Sequence, residues 1–262
     1  CVFVGMDETQ TYIIIIVIWV DDCLITGNWE SEIKRLIELF VLRFTKVTTE
    51  GELKRYVGID IAPDRVNHSM TLSQQPYRQQ LVDKYLPKTA ATKSNPVNPT
   101  NNLRALGDYK EPPIHEQAGE LGYLADRTGP EIKFPVSQLR SAAANPTSDH
   151  VKAVRHMHRY IAKDTKTGLT YSRGNSTDIV LFGYADGSQI RYGDSKSQLA
   201  YCLFLNLFSG CMLARTIKST SVSLAPSQTE LQAVVLIIKK IIWARHFLAE
   251  LYQPQIEPTV VY

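Results

Sequence analysis

The chain has 262 residues, of which 44% are hydrophobic and 21% charged, and a formal net charge of +3. This composition supports one large folded domain or two smaller ones, and it excludes a disordered tail, a collagen and a coiled coil. The most apolar run, 12–20, is far shorter than the roughly 20 residues that a membrane-spanning helix needs.

The cysteines and the first residues bear on where the protein works. The four cysteines include no CxxC pair, which argues against both a disulfide framework and a zinc ribbon. No basic and then apolar leader opens the chain. We therefore expect an intracellular protein that is not secreted and has no membrane partner, with cytoplasm and nucleus left open.

The front of the chain predicts a β-hairpin followed by a helix. Segments 12–20 and 23–26 are rich in β-branched residues, and we expect two antiparallel strands buried on both faces. Asp21 and Asp22 lie between them, at the expected tip of the hairpin. Apolar residues then recur at helical spacing over 30–44, which predicts a helix.

The middle of the chain predicts short strands and then mostly helices. A strand with Gly58 inside it is expected at 56–62, with a partner strand at 70–72 and a helix that Pro76 opens. Proline, asparagine and threonine dominate 87–113, which is typical of a loop or linker. Further helices are expected at 115–125 and 136–144, and a last one running from a Ser148 cap to 162.

The last part of the chain predicts strands followed by one long helix. Three strands are expected at 168–173, 178–185 and 199–208, with a shorter one near 211–214. A long helix at 228–251 and a final strand at 259–262 follow. Strands, then a helix, then a strand is an α+β arrangement.

Two adjacent carboxylates after an apolar strand point to metal binding. Like charges side by side repel each other and resist desolvation, and a hard divalent cation such as Mg²⁺ removes the conflict. Phosphoryl transfer uses a pair of such ions to hold the attacking and leaving oxygens. A solvated hairpin turn is the competing interpretation, because Asp favours turns in any case.

The motifs around this turn resemble those of copia-type (pseudoviral) retrotransposons. WVDD at 19–22 is similar to the aromatic-x-Asp-Asp motif of reverse transcriptases. Further stretches resemble that family's patterns in order: GELKRYVGIDI at 51–61, LSQQPY at 72–77, and VSQL, NPT and HVKA between 136 and 153. The ordered series runs from about residue 12 to the end of the chain.

The resemblance implies the end of a polymerase palm, followed by a thumb and a connection. Asp21 and Asp22 are then implied to be two of three catalytic carboxylates that bind Mg²⁺. In the family the third lies upstream, on a strand before the segment that begins here. We therefore expect a fragment that lacks the fingers and the first half of the palm.

A second pair of carboxylates lies in the back part of the chain. Asp186 is expected at the end of a strand, before Gly187, and Glu230 in the first turn of the long helix. The helix dipole favours an acid there by about 0.3–1 kcal/mol. The two elements can bring both carboxylates to one metal ion, although each residue alone is also typical of an ordinary turn or cap.

These two segments resemble the ribonuclease H domain that follows the polymerase in such elements. YADG at 184–187 is similar to its first-strand YxDG, and TELQA at 229–233 to the TELxA of its first helix. Copia elements more often have STEAEY at the helix and DW after the strand. The resemblance implies that Asp186 and Glu230 are two of four metal-binding acids, the other two being absent here.

A basic helical face completes the set of candidate sites. Cationic and histidine side chains recur at helical spacing at Lys152, Arg155, His156, Arg159 and Lys163. Segment 151–262 carries thirteen Lys and Arg against seven Asp and Glu, whereas 1–50 carries four against eight. A basic face can bind a nucleic-acid backbone by releasing counterions. The alternative is the solvated side of an amphipathic helix.

We thus predict an α+β chain in three parts. These are the palm end and thumb at 1–86, a linker and helical connection at 87–165, and a truncated ribonuclease H-like domain with a mixed sheet at 166–262. The family's activities are RNA-directed DNA synthesis and cleavage of RNA in RNA–DNA hybrids. The implied partners are an RNA template, DNA, the hybrid and the rest of the Pol polyprotein.

We expect the isolated chain to be inactive, because part of both catalytic sites is missing. Two other interpretations stay open at this point. The chain can be a non-catalytic nucleic-acid-binding remnant of a retroelement, or an unrelated two-domain α/β protein with acidic turns.

Overall fold

The computed structural model describes residues 1–9, 11–49, 51–104, 107, 113–173, 179–189 and 196–262. Within them, α-helices occur together with strands that form three separate β-sheets, which is compatible with the predicted α+β class. No helix in these ranges is both long enough and apolar enough to cross a membrane. The parts of the predicted 87–113 loop and 178–185 strand that fall at 105–106, 108–112 and 178 lie outside the described residues.

The first sheet is a three-stranded antiparallel meander of β1 (Val2–Met6), β2 (Ile13–Trp19) and β3 (Asp22–Gly27). The predicted hairpin of the second and third strands is confirmed, whereas β1 is an addition that the sequence analysis missed. Helix α1 (Glu30–Arg43) follows, as predicted.

The expectation that the hairpin is buried on both faces is wrong. Ile14 is the one residue of β2 that is fully buried, and the others are half-buried or exposed. Helix α1 contacts β3 but has no fully buried residue of its own. The sheet therefore has too few neighbours among the described residues to cover a strand this apolar.

The second sheet joins distant parts of the chain in the order β4 (Arg55–Tyr56), β5 (Ile59–Asp64), β6 (Ser69–Ser73) and β7 (Gly168–Ser172). Gly58 does not lie inside a strand as expected. It forms a tight turn with Val57, and both residues have positive φ, which ends β4 and starts β5. The expected pairing of 70–72 with the preceding strand is confirmed by the β5–β6 register.

The strand β7 pairs with β6 along its full length, from Ser69 opposite Ser172 to Ser73 opposite Gly168. The predicted third part of the chain, 166–262, includes 168–172. Its pairing with β6 attaches this strand to the second sheet, whose other strands lie in the predicted first part. The predicted domain boundary near residue 165 stays a prediction.

Four helices form the largest core, and each was predicted. They are α2 (Gln75–Tyr85), α3 (His115–Arg127), α4 (Lys133–Ala142) and α5 (Ser148–Lys163), with a 3₁₀ turn at Pro130–Ile132. Their facing sides bury Leu81, Leu121, Leu124, Ile132, Leu139, Met157 and Ile161 almost completely. Each such side chain contributes about 1.5–3 kcal/mol of burial free energy.

The start of α5 differs by one residue from the prediction. Thr147, not Ser148, is the N-cap, and it exchanges hydrogen bonds with His150 in a capping box. His150 is fully buried there, and burial is the main cause that lowers its pKa. The cap therefore fixes where the basic helix begins.

The third sheet has the order β10 (Cys211–Val222), β9 (Lys196–Phe204), β8 (Phe182–Ser188) and β11 (Val260–Val261). The first two pairings are antiparallel, and β11 lies parallel to β8. Helix α6 (Pro226–Glu250) connects β10 to β11 and packs on β8 and β9. A buried hydrogen bond of 2.9 Å from Gln138 Nε2 to Gln198 Oε1 ties α4 to the other face of this sheet.

Candidate metal and nucleic-acid sites

Asp21 and Asp22 lie at the tip of the hairpin that β2 and β3 form, as predicted. Trp19 pairs with Asp22 across the ladder, so the turn itself consists of Val20 and Asp21. Val20 has a φ of 57°, which is unusual for a β-branched residue and marks backbone strain at the tip. Both carboxylates are exposed, and Val20 is 86% exposed, so the tip projects into solvent.

Tyr56 of the second sheet stands beside this hairpin, and the sequence analysis missed it. Its hydroxyl donates a 3.3 Å hydrogen bond to the carbonyl of Val17. Burial, and then the charge of Asp22, raise the pKa of the Tyr56 phenol. The aromatic in GELKRY at 51–56 was the available signal, but it is 39 residues from its acceptor.

The second pair of carboxylates lies on two elements that touch. A Cβ on Gly187 would lie 2.5 Å from the carbonyl oxygen of Thr229, so β8 and α6 meet closely at this point. Ser197 and Thr229 also contact each other through their hydroxyls, at 3.2 Å. Asp186 and Glu230 each lie one residue from the contact.

Two details of this pair differ from the expectation. Asp186 does not end its strand, because β8 continues through Gly187 to Ser188. Glu230 lies in the second turn of α6, which starts at Pro226, so the first-turn dipole argument does not apply to it. Strand alternation directs Gly187 towards α6 and Asp186 to the other face of β8, with Tyr184.

Neither pair alone completes a metal site within the described residues. Exposed carboxylates are the ligands that Mg²⁺ prefers, so the donors at Asp21 and Asp22 fit the ion. In the ranges that the structure describes, no group of three or more His, Cys, Asp or Glu side chains is arranged to hold a metal. Further ligands would have to come from water, substrate or another segment.

Helix α5 carries the predicted basic face. Lys152, Arg155, Arg159 and Lys163 are all exposed, whereas the opposite face, with Val154 and His158, is buried in the helical core. Lys152 forms an ion pair of 3.1 Å with Asp149. For Arg155 and Arg159, the structure shows no acidic partner among the described residues.

A short segment crosses one end of this face. The ring of His156 bonds to the carbonyl of Asn95 at 2.8 Å, and the Lys163 ammonium donates to the Ser94 hydroxyl at 3.3 Å. The backbone N–H of Lys93 donates to the carbonyl of Arg159 and adds a further cation beside the helix. No local pattern predicts this contact, because the segment lies in the loop at 87–113.

The comparisons with known proteins bear on these sites. The Pol polyprotein from transposon TNT 1-94 of Nicotiana tabacum, described as retrovirus-related, is 26% identical in an alignment of 262 positions, which covers 96% of this chain and 19% of that protein. The corresponding protein from transposon RE2 of Arabidopsis thaliana is 27% identical over 256 residues, 95% of this chain and 17% of that protein. That from transposon RE1 of the same plant is 26% identical over 253 residues, with the same two coverages.

The chain therefore spans less than a fifth of the length of these curated relatives. No protein-family model matches the chain, and no solved structure is significantly similar to it. Over nearly its whole length, the chain is similar to one part of retrotransposon Pol polyproteins, and this similarity supports its origin from a retroelement.

Proposed function

We propose that the chain is a segment of the reverse transcriptase and ribonuclease H region of a copia-type retrotransposon Pol polyprotein. The observation that carries the proposal is the hairpin tip at Asp21 and Asp22, in a chain similar to Pol polyproteins over 95–96% of its length. In isolation, this segment binds nucleic acid but does not synthesise DNA.

The polymerase part of the proposal is supported by the geometry of the tip. Asp21 and Asp22 present carboxylates to solvent from a short turn between two paired strands. A bound Mg²⁺ would supply positive charge for phosphoryl transfer. The two residues would hold the ion on one side only, because no third acid lies nearby in the described part of the chain. We expect no DNA synthesis because the described residues supply no ligand on the other side of the ion.

The ribonuclease H part is supported by the third sheet. Three antiparallel strands, β8 to β10, are followed by a helix and by a strand parallel to β8, and Asp186 lies on β8. The close approach of Gly187 to Thr229 brings the Asp186 and Glu230 segments together. We propose that these two acids contribute to one Mg²⁺ site, which requires the Asp186 side chain to turn from the opposite face of β8 towards α6.

The nucleic-acid part is supported by α5. Four exposed cations lie on one face of α5, and the other face is buried in the helical core. We call these four residues the basic stripe: Lys152, Arg155, Arg159 and Lys163. We propose that this stripe contacts the phosphates of a template, of DNA or of an RNA–DNA hybrid.

Metal binding at the tip is tested by paramagnetic broadening. Titration of the isolated chain with Mn²⁺, a substitute for Mg²⁺, should broaden the amide NMR signals of residues 20–23. Replacing both acids, Asp21→Asn with Asp22→Asn, should remove this broadening because the oxygen ligands lose their charge. Glu38→Gln, an exposed acid on α1, is the matched control and should leave it unchanged. Broadening at 20–23 that survives the double substitution would contradict the site.

Catalysis is tested separately by primer extension. The isolated chain should not extend a primed RNA template with Mg²⁺, because a two-metal site needs ligands on both sides of the ions. Extension that disappears in Asp21→Asn would contradict this expectation and reveal a substitute acid.

The alternative function is a nucleic-acid-binding remnant without catalysis. The observation that favours it is the orientation of Asp186, on the face of β8 that points away from α6. Binding of a hybrid without Mn²⁺ broadening at either acidic pair would support the remnant.

A further inference from the structure

The third sheet brings two of the four cysteines together. Cys202 lies on β9 and Cys211 opens β10, opposite Phe204 on the neighbouring strand. The register shifts between Cys211 and Leu213, which marks a β-bulge at this point. The Cys211 thiol donates to the carbonyl oxygen of Leu213 at 2.9 Å, and it also contacts that of Leu203, the residue after Cys202, at 3.6 Å.

The two thiols differ in exposure and in chemistry. Cys211 is 9% exposed, whereas Cys202 is only partly buried. The neighbouring Cys211 side chain lowers the pKa of Cys202 against the opposing effect of burial, and the Lys133 ammonium of α4 adds to the lowering. The neighbouring Cys202 side chain and burial both raise the pKa of Cys211. A thiolate therefore forms first at Cys202, and thiolates are the nucleophiles in cysteine chemistry.

The other two cysteines provide an internal contrast. Ile18 of β2 pairs with Cys23 on one side. On the other side, its carbonyl oxygen accepts a hydrogen bond from the amino group of Cys1. These two cysteines are therefore about two strand spacings apart, roughly 9–10 Å, which exceeds the Cα separation that a disulfide tolerates. Desolvation raises the pKa of Cys23.

We propose that Cys202 and Cys211 form a peroxide-sensitive thiol pair, in which Cys202 reacts first and Cys211 resolves the product to a disulfide. Cys202 lies opposite Ala214 and Cys211 opposite Phe204, so the two cysteines are diagonal neighbours across the β9–β10 ladder. Bond formation requires the backbone to move at the bulge, where the register already shifts. The oxidant is a small hydroperoxide such as hydrogen peroxide.

The two thiols are oxidised to a disulfide in two steps. The Cys202 thiolate attacks one peroxide oxygen, the O–O bond breaks, and the departing hydroxide takes a proton to become water, leaving a sulfenic acid. The Cys211 thiol then loses its proton and its sulfur attacks the sulfenic sulfur. The S–S bond forms, the S–O bond breaks, and hydroxide leaves with that proton as a second water. A small thiol reductant reverses the change by exchange.

The test is peptide mapping of the full chain after treatment with a few equivalents of hydrogen peroxide. We expect one disulfide, between Cys202 and Cys211, and full recovery of both thiols with excess reductant. In Cys211→Ser, a sulfenic acid should remain on Cys202, where dimedone traps it. In Cys202→Ser, Cys211 should stay a thiol at the same peroxide dose.

Cys23→Ser is the matched control and should leave the disulfide yield unchanged. Circular dichroism of each variant shows whether it is folded, and dimedone trapping at early times in the parent chain gives the order of reaction without any substitution. Dimedone labelling of Cys23 at or above the level of Cys202 would overturn the proposal. So would a folded parent chain that forms no link between Cys202 and Cys211.

Discussion

His158 is the residue whose burial has the clearest chemical consequence. It is 1% exposed in the helical core and its ring stacks on Tyr85, with centroids 4.6 Å apart. The structure shows no hydrogen-bond partner for its Nε2 atom among the described residues. Burial lowers the pKa of His158 to about 4, against a smaller opposing effect from the Glu120 charge. The folded protein therefore holds this ring neutral at pH 7.

A pH-dependent loss of stability follows from this shift. The unfolded chain takes up the His158 proton near pH 6.5, whereas the folded chain takes it up near pH 4. Stability is therefore complete above pH 6.5 and falls as the pH drops towards 4. We expect a loss of about 2 kcal/mol between pH 7 and pH 5 from this residue alone.

Urea unfolding at both pH values measures the effect. In His158→Phe, which keeps an aromatic ring against Tyr85, the difference between the two pH values should shrink by about that amount. His246→Gln, an exposed histidine on α6, is the control and should not change it. An unaltered difference in His158→Phe would assign the acid sensitivity to other groups.

Among the elements, the junction of β8 and α6 is set by glycine. A Cβ on Gly183 would lie 2.4 Å from Ile237 Cδ1, and one on Gly187 would lie 2.5 Å from the Thr229 carbonyl. The second contact is with backbone, which cannot rotate away. The YADG motif thus has a packing role in this chain in addition to its acid.

Substitution of Gly187 measures how tightly β8 and α6 pack. Gly187→Ala should lower the free energy of unfolding by about 1–3 kcal/mol, because the methyl group forces α6 away from β8. Gly5→Ala on β1 is the matched control, since nothing lies within 4 Å of its Cβ, and it should stay within about 0.5 kcal/mol of the parent. Equal stabilities for the two variants would mean that the junction is loose.

The elements also show how far sequence reasoning reaches. Helices such as α5 were predictable because their apolar spacing is a local pattern and because neighbouring helices cover their apolar faces. The pairing of β7 with β6 was not predictable, since it joins segments about 100 residues apart and depends on which sheet edge is free. The extension of β10 to Val222 was missed for a related reason. Its second half is rich in Ser, Thr and Lys, and pairing with β9 decides its structure.

The candidate sites were predictable to different degrees. The hairpin tip was placed correctly because Asp21 and Asp22 interrupt an apolar run, which is a local signal. The orientation of Asp186 was not predictable, because strand alternation depends on the residue at which β8 begins. Nor was the contact of the Ser94 segment with Lys163, which depends on how a loop lies over a helix.

At the scale of the whole molecule, acid and base are separated along the chain. Acids outnumber bases in 1–50, which contains the hairpin tip, and bases outnumber acids in 151–262. The basic stripe on α5 faces solvent, and three of its four cations have no acidic partner in the described ranges: Arg155, Arg159 and Lys163. This distribution suits a protein that holds a polyanion along one part and metal ions at another.

The central claim, that this retroelement-derived chain binds nucleic acid through α5, is tested most directly by salt titration with an RNA–DNA hybrid. The logarithm of affinity should fall linearly with the logarithm of salt concentration, by about 0.7–0.9 for each phosphate neutralised. Replacing Lys152, Arg155 and Arg159 together by Ala should flatten the slope by about 2–3, with little change in sequence preference. The matched control replaces Lys34, Arg35 and Arg43 of α1 by Ala and should keep the parent slope. Equal slopes for the parent chain and the α5 variant would contradict the claim and make this helix face an ordinary solvated surface.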